Sequence, residues 1–114
     1  MNVKQLFAAA LIVGGGVAIA GPASAAEIHV SMDGAGYADT YYNRAVAQVC
    51  DSSTDNHSVA VQYYRSASSS TLRTIWVKTG SYTCNSSDTG SSILKARIEE
   101  QELTGTDKYS SWVS

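Results

Sequence analysis

Proline is nearly missing from this chain of 114 residues: there is one, Pro22. Beyond it no ring blocks a backbone N–H, so any later segment is free to sit in the middle of a sheet. Cysteine is almost as scarce, with only Cys50 and Cys84. Two thiols so far apart in sequence are not a zinc knuckle. Histidine is limited to His29 and His57, and a zinc pair built from them has no further soft ligand once the cysteines are joined. Positive charge is also in short supply. Eight Lys and Arg stand against ten Asp and Glu, for a formal net charge of −2. With no basic run in the chain order, that balance excludes the electrostatic footprint of a nucleic-acid or anionic-membrane binder. No glycine-rich phosphate loop is present; the GAG and GSY segments do not match one.

What is there begins with a leader. Lys4 precedes an apolar run from Leu6 to Ala20, followed by Gly21-Pro22 and then Ala23-Ser24-Ala25. Small residues at 23 and 25 form the pattern a signal peptidase accepts. The run is about 15 residues long, short of the roughly 20 that span a bilayer. The expectation is a signal peptide over residues 1–26, cleaved after Ala25 or Ala26, and a single secreted domain over 27–114 with no membrane insertion. In an oxidising compartment Cys50 and Cys84 are expected to pair. Closing a loop of about 33 residues contributes up to roughly 3.5–4 kcal/mol by chain-entropy reasoning.

The rest of the chain reads as short strands between polar turns. Ile28, Val30 and Met32 alternate with His29 and Ser31, and Asp33 to Gly36 form a turn. Residues 41–50 read as one strand with Tyr41, Ala45, Ala47 and Val49 on its apolar face, or, being alanine-rich with one arginine, as a short helix. Val59, Val61 and Tyr63 alternate with Ala60, Gln62 and Tyr64, the clearest period of two in the chain. The serines at 66–70 read as a turn. Thr71 to Lys78 is rich in β-branched and aromatic residues and reads as a strand buried on both faces. A long polar connection runs from Thr79 to Ser92, pinned by Cys84. Leu94, Ala96 and Ile98 point inward from a further strand, Lys95 and Arg97 outward, and a helical turn ended by Gly105 follows. Trp112 is too large and apolar to stay in water cheaply and docks the C-terminal segment on the sheet. The fold class expected is all-β: a small antiparallel β-sandwich or barrel with one disulfide.

Few side chains suggest catalysis. Asp51, Asp55, Asn56 and His57 lie between two strands that pair naturally as a hairpin, where Asp and Asn bond to backbone groups two residues on. A calcium site from Asp51 and Asp55 lacks the six or more oxygen ligands that ion takes. Glu99, Glu100 and Glu102 offer carboxylates for glycoside hydrolysis, but three acids so close together read as a solvated face. No catalytic residue, metal or other cofactor is expected. The tyrosines are the better lead. Tyr41-Tyr42 and Tyr63-Tyr64 are adjacent pairs, so one of each faces outward. In the expected hairpin Tyr42 and Tyr64 share a sheet face, with Tyr82 or Trp76 near. Stiff exposed aromatics supply contact area at low entropy cost.

The stretch VCDSSTDNHSVAVQYYR and the ending DKYSSWVS resemble a group of small secreted actinobacterial proteins of uncharacterised function. Tyr109 stands where that group's tail cysteine would be, and Ile98 or Glu99 where its partner would be. A second bridge is therefore absent, and the resemblance leaves the C-terminus held by Trp112 alone. It implies export and a β fold, and supplies no catalytic residue. The function expected is a non-enzymatic extracellular binding module for a protein or glycan, using Tyr42, Tyr64, Trp76 and Tyr82. The alternative is a secreted inhibitor of an extracellular protease or amylase, with the 79–92 loop as its inhibitory element.

Overall fold

Eight strands account for the regular structure among the residues described by the computed structural model, which are 26–53, 57–77 and 82–114. The strands are β1 (His29–Met32), β2 (Gly36–Tyr41), β3 (Val46–Asp51), β4 (Val59–Arg65), β5 (Ser68–Val77), β6 (Cys84–Ser86), β7 (Ile93–Glu100) and β8 (Lys108–Tyr109). They form two four-stranded antiparallel sheets, ordered β1-β2-β3-β6 and β5-β4-β7-β8. No described residue is helical. The all-β class with one disulfide is therefore correct, and the two sheets make it a sandwich. The leader expected over 1–26 lies, apart from Ala26, outside the described residues.

The core sits between the sheets and follows the alternation. Ile28, Val30, Ala38, Ala47 and Val49 come from the first sheet, and Val59, Val61, Tyr63, Ala96 and Ile98 from the second. Each of these buried apolar side chains contributes on the order of 1–3 kcal/mol relative to exposure. Gly36 lies at a close approach, since a Cβ there would be 2.3 Å from the Cys50 carbonyl oxygen.

Several segments depart from the expectations. The strand read over 41–50 is split: Tyr41 ends β2, residues 42–45 turn, and β3 begins at Val46. Tyr42, Asn43 and Arg44 all take left-handed backbone conformations (φ 57°, 61° and 65°). No period analysis exposes such a turn, because none of the three is glycine. The expected hairpin between β3 and β4 does not form; the two strands belong to different sheets, and the segment after Asp51 crosses from one to the other. The serines at 68–70 continue β5, and β5 is an exposed edge strand rather than one buried on both faces. A register shift at Tyr64/Arg65 places Ile93 in the core and leaves Leu94 outward, 41% exposed. No helical turn follows Glu99; β7 runs through Glu100. The long connection contains β6, which pairs with β3.

Cys50 and Cys84 are joined. They face each other directly on neighbouring strands, with Cα atoms 4.0 Å apart, so the bridge lies within the first sheet and does not tie the two sheets together.

Candidate functional site

Each sheet has an outer face with its own chemistry. On the second sheet, the even-numbered side of β4 meets the odd-numbered side of β7: Gln62 is opposite Arg97, and Tyr64 is opposite Lys95. Trp112 lies on this face, its ring 5.4 Å from that of Tyr64. Lys95 Nζ is 4.8 Å from the Trp112 ring centre and the Arg97 guanidinium 4.7 Å. Arg97 also stacks on Tyr109 at 4.2 Å and donates from Nε to Gln62 Oε1 at 2.8 Å. Cations over aromatic faces contribute about 0.5–1 kcal/mol each at exposed sites and more when desolvated. Trp112 thus docks the C-terminal segment as expected, but not alone. Val113 exchanges two backbone hydrogen bonds with Ala96, and Ser110 bonds to Ile98 through both its N–H and its hydroxyl. The aromatic groups of this face are largely occupied with one another.

The acids read as solvated are partly buried. Glu99 is 7% and Glu100 8% exposed. Burial, and then a shared hydrogen bond with Asp107, raises the Glu99 pKa, while the Tyr109 hydroxyl, donating to Glu99 Oε2, opposes the shift. Burial and the Glu99 carboxyl raise the Tyr109 pKa in turn. Periodicity could not find this, because it places residues on faces without saying what covers a face.

The first sheet is different. Tyr37, Asp39 and Tyr41 alternate outward along β2. His29 on β1 is opposite Asp39, to which its Nδ1 bonds, and its ring lies 6.3 Å from that of Tyr37. Gln48 of β3 flanks Asp39 on the other side. Tyr37 and Tyr41 are 38% and 42% exposed, and Tyr42, in the turn that follows, is 80% exposed. Desolvation first, then the Asp39 charge, pushes the Tyr41 phenol above its ordinary range.

The turn carrying Tyr42 is built around Glu27. One carboxylate oxygen accepts from the Thr40 hydroxyl (2.7 Å) and the Arg44 N–H (2.9 Å), and the other from the Asn43 N–H (2.8 Å). Arg44 Nε reaches back to the Ala26 carbonyl at 2.6 Å. Successive N–H groups in left-handed conformation form an anion cradle, filled here by the chain's own carboxylate. The Thr40 hydroxyl, followed by these N–H groups, lowers the Glu27 pKa.

The four residues singled out from sequence do not gather. Tyr64 and Trp76 belong to strands of the second sheet, whereas Tyr42 follows β2 and Tyr82 precedes β6 in the first. Tyr82 is 78% exposed with φ 61°, and its N–H donates to the Asp51 carbonyl. Asp51 is buried, and its Oδ1 accepts from the Ser53 N–H two residues on, at 2.9 Å; Asp55 lies outside the described residues. The sequence reading missed Tyr37 and misplaced Tyr41.

A groove of about 710 Å³ opens between the edge of β5 and the 85–91 segment, bordered by Arg73, Trp76, Asn85 and Thr89, with Arg65 on its floor. The Arg65 guanidinium is committed to structure. Nη1 donates to the carbonyls of Ala45 and Ser91, and Nη2 to Ser87 Oγ and the Asp88 carbonyl.

Comparison with protein-family models, with curated proteins and with solved structures finds no match for the chain.

Proposed function

We propose that this chain is an exported, non-enzymatic module that grips a protein or glycan through the outer face of its first sheet. The observation that carries the reading is the clustering of Tyr37, Tyr41 and the highly exposed Tyr42 along and just beyond one strand. Tyrosine presents a large, rigid, amphipathic surface at little entropic cost, and the sheet beneath holds it in place before the partner arrives. Export is supported by the leader pattern, by the resemblance noted above and by the disulfide, which suits an oxidising compartment. No helix among the described residues is long and apolar enough to cross a membrane.

The test is capture from culture supernatant and cell wall, together with a glycan array, using the parent and a Tyr37→Ser/Tyr41→Ser/Tyr42→Ser variant. Loss of central aromatic anchors typically costs 2 kcal/mol or more, so affinity should fall by about 30-fold or further at unchanged fold. A partner that holds both proteins equally well sinks the reading.

A second reading is favoured by one feature. The 87–91 segment is exposed over Asp88, Thr89 and Gly90 yet pinned from beneath by Arg65. A rigid projecting loop suits an inhibitor of an extracellular protease or amylase, because preorganisation lowers the cost of binding. Inhibition abolished by Asp88→Ala/Thr89→Ala, and untouched by the tyrosine substitutions, would select it.

A further inference from the structure

We propose that His57, Glu100 and Glu102 form a binding site for a divalent transition-metal ion, best matched by Zn²⁺. The three come from separate pieces of chain. His57 lies just before β4, Glu100 ends β7 on the side that faces Val59 and the core, and Glu102 follows two residues later. The Gln101 N–H to Ser58 carbonyl bond fastens the two segments together, and the Glu102 N–H is held by Asp107 Oδ1.

Distance is the first argument. His57 Nδ1 is 3.5 Å from Glu100 Oε2 and 3.6 Å from Glu102 Oε2, and one ligand atom from each of the three residues lies within 4.8 Å of the other two. A charge-assisted N–H···O hydrogen bond closes to about 2.7–2.9 Å. Two donors held 2.0–2.2 Å from one tetrahedral ion stand about 3.4 Å apart. The two distances from His57 are close to that ligand–ligand spacing, and the two carboxylates lie near enough to turn toward a common centre.

Burial is the second argument. The Glu100 and Glu102 side chains are 10% and 18% exposed, and Glu102 Oε2 is shut off from solvent with no hydrogen-bond partner. A buried carboxylate oxygen left unsatisfied is costly, and a dication at this point supplies the partner that Glu102 Oε2 lacks. Two carboxylates and one imidazole suit Zn²⁺ better than Ca²⁺ or Mg²⁺, which prefer an all-oxygen shell. Three protein donors leave a fourth position for water. Such an ion would clamp the crossing segment between the sheets to the end of β7, at the rim of the core.

The experiment is calorimetric titration of the disulfide-bonded protein, stripped with EDTA, with zinc chloride. One equivalent should bind and raise the melting temperature by several degrees. His57→Ala and Glu102→Gln should each weaken binding at least tenfold, while His29→Ala, which removes the other His–acid pair, should not. Absence of binding, or binding that survives His57→Ala, overturns the proposal. Should either variant fail to fold by near-ultraviolet circular dichroism, amide and imidazole NMR shifts of the parent decide. Changes on adding zinc must centre on His57, Glu100 and Glu102, and changes centred on His29 and Asp39 overturn the site.

Discussion

At the scale of single residues, Arg65 and Glu27 do the most organising. Arg65 is 7% exposed, and its guanidinium gathers Ala45, Ser87, Asp88 and Ser91 around it. Arg65→Met should therefore lower unfolding free energy by about 3 kcal/mol, because three part-buried carbonyls and a hydroxyl lose the buried cation that joins them. Urea denaturation measures this, and Arg65→Lys should rescue little, since an ammonium cannot reproduce the planar fork. Glu27 has a depressed pKa in the fold, so its contribution is present above the unfolded-state value and lost as pH falls through the lower folded-state value. Glu27→Gln should lower the melting temperature at neutral pH, and the gap to the parent should close in acid. A gap independent of pH would contradict the carboxylate's role. Neither residue is legible as an organiser in the sequence. An arginine's partners here are carbonyls and a hydroxyl twenty or more positions away, and no spacing rule links Glu27 to Asn43.

At the scale of elements, the turn after β2 carries a cost. Left-handed backbone in a non-glycine residue costs roughly 1–2 kcal/mol, and Tyr42, with φ 57°, leaves its side chain 80% exposed. Tyr42→Gly should raise stability by about 0.5–1 kcal/mol, the relief of strain less the entropy glycine brings. The same change should weaken partner binding if the tyrosine face is the docking surface. A thermal melt and a binding isotherm on one variant read both effects, and a destabilised variant would argue against strain at this turn. Strand β4 was fully legible because Val59, Val61 and Tyr63 keep strict alternation over an apolar face. Strand β5 was legible as a strand but not as an edge. Its β-branched and aromatic composition reports a preference for pleated structure, whereas its exposure depends on whether a neighbour exists on its far side. At Leu94 one irregular register step was enough to exchange inside for outside.

At the scale of the molecule, the class was readable and the pairing was not. Scarce proline, regular polar turns and a cysteine pair point to a stapled β domain. Whether β3 returns to β4 as a hairpin or crosses to a second sheet depends on long-range packing that neighbouring residues do not encode. The placement of the staple follows from that crossing. Cys50 is 4% exposed, whereas Cys84 sits on the short, exposed edge strand β6. A thiol reagent can therefore approach the bond from one side alone. Glutathione should form its mixed disulfide on Cys84 and leave Cys50 as an enclosed thiol, which peptide mapping by mass spectrometry would detect. Reopening of this kind frees β6 while the other sheet stays zipped, so the fold has a built-in order in which reducing conditions would take it apart.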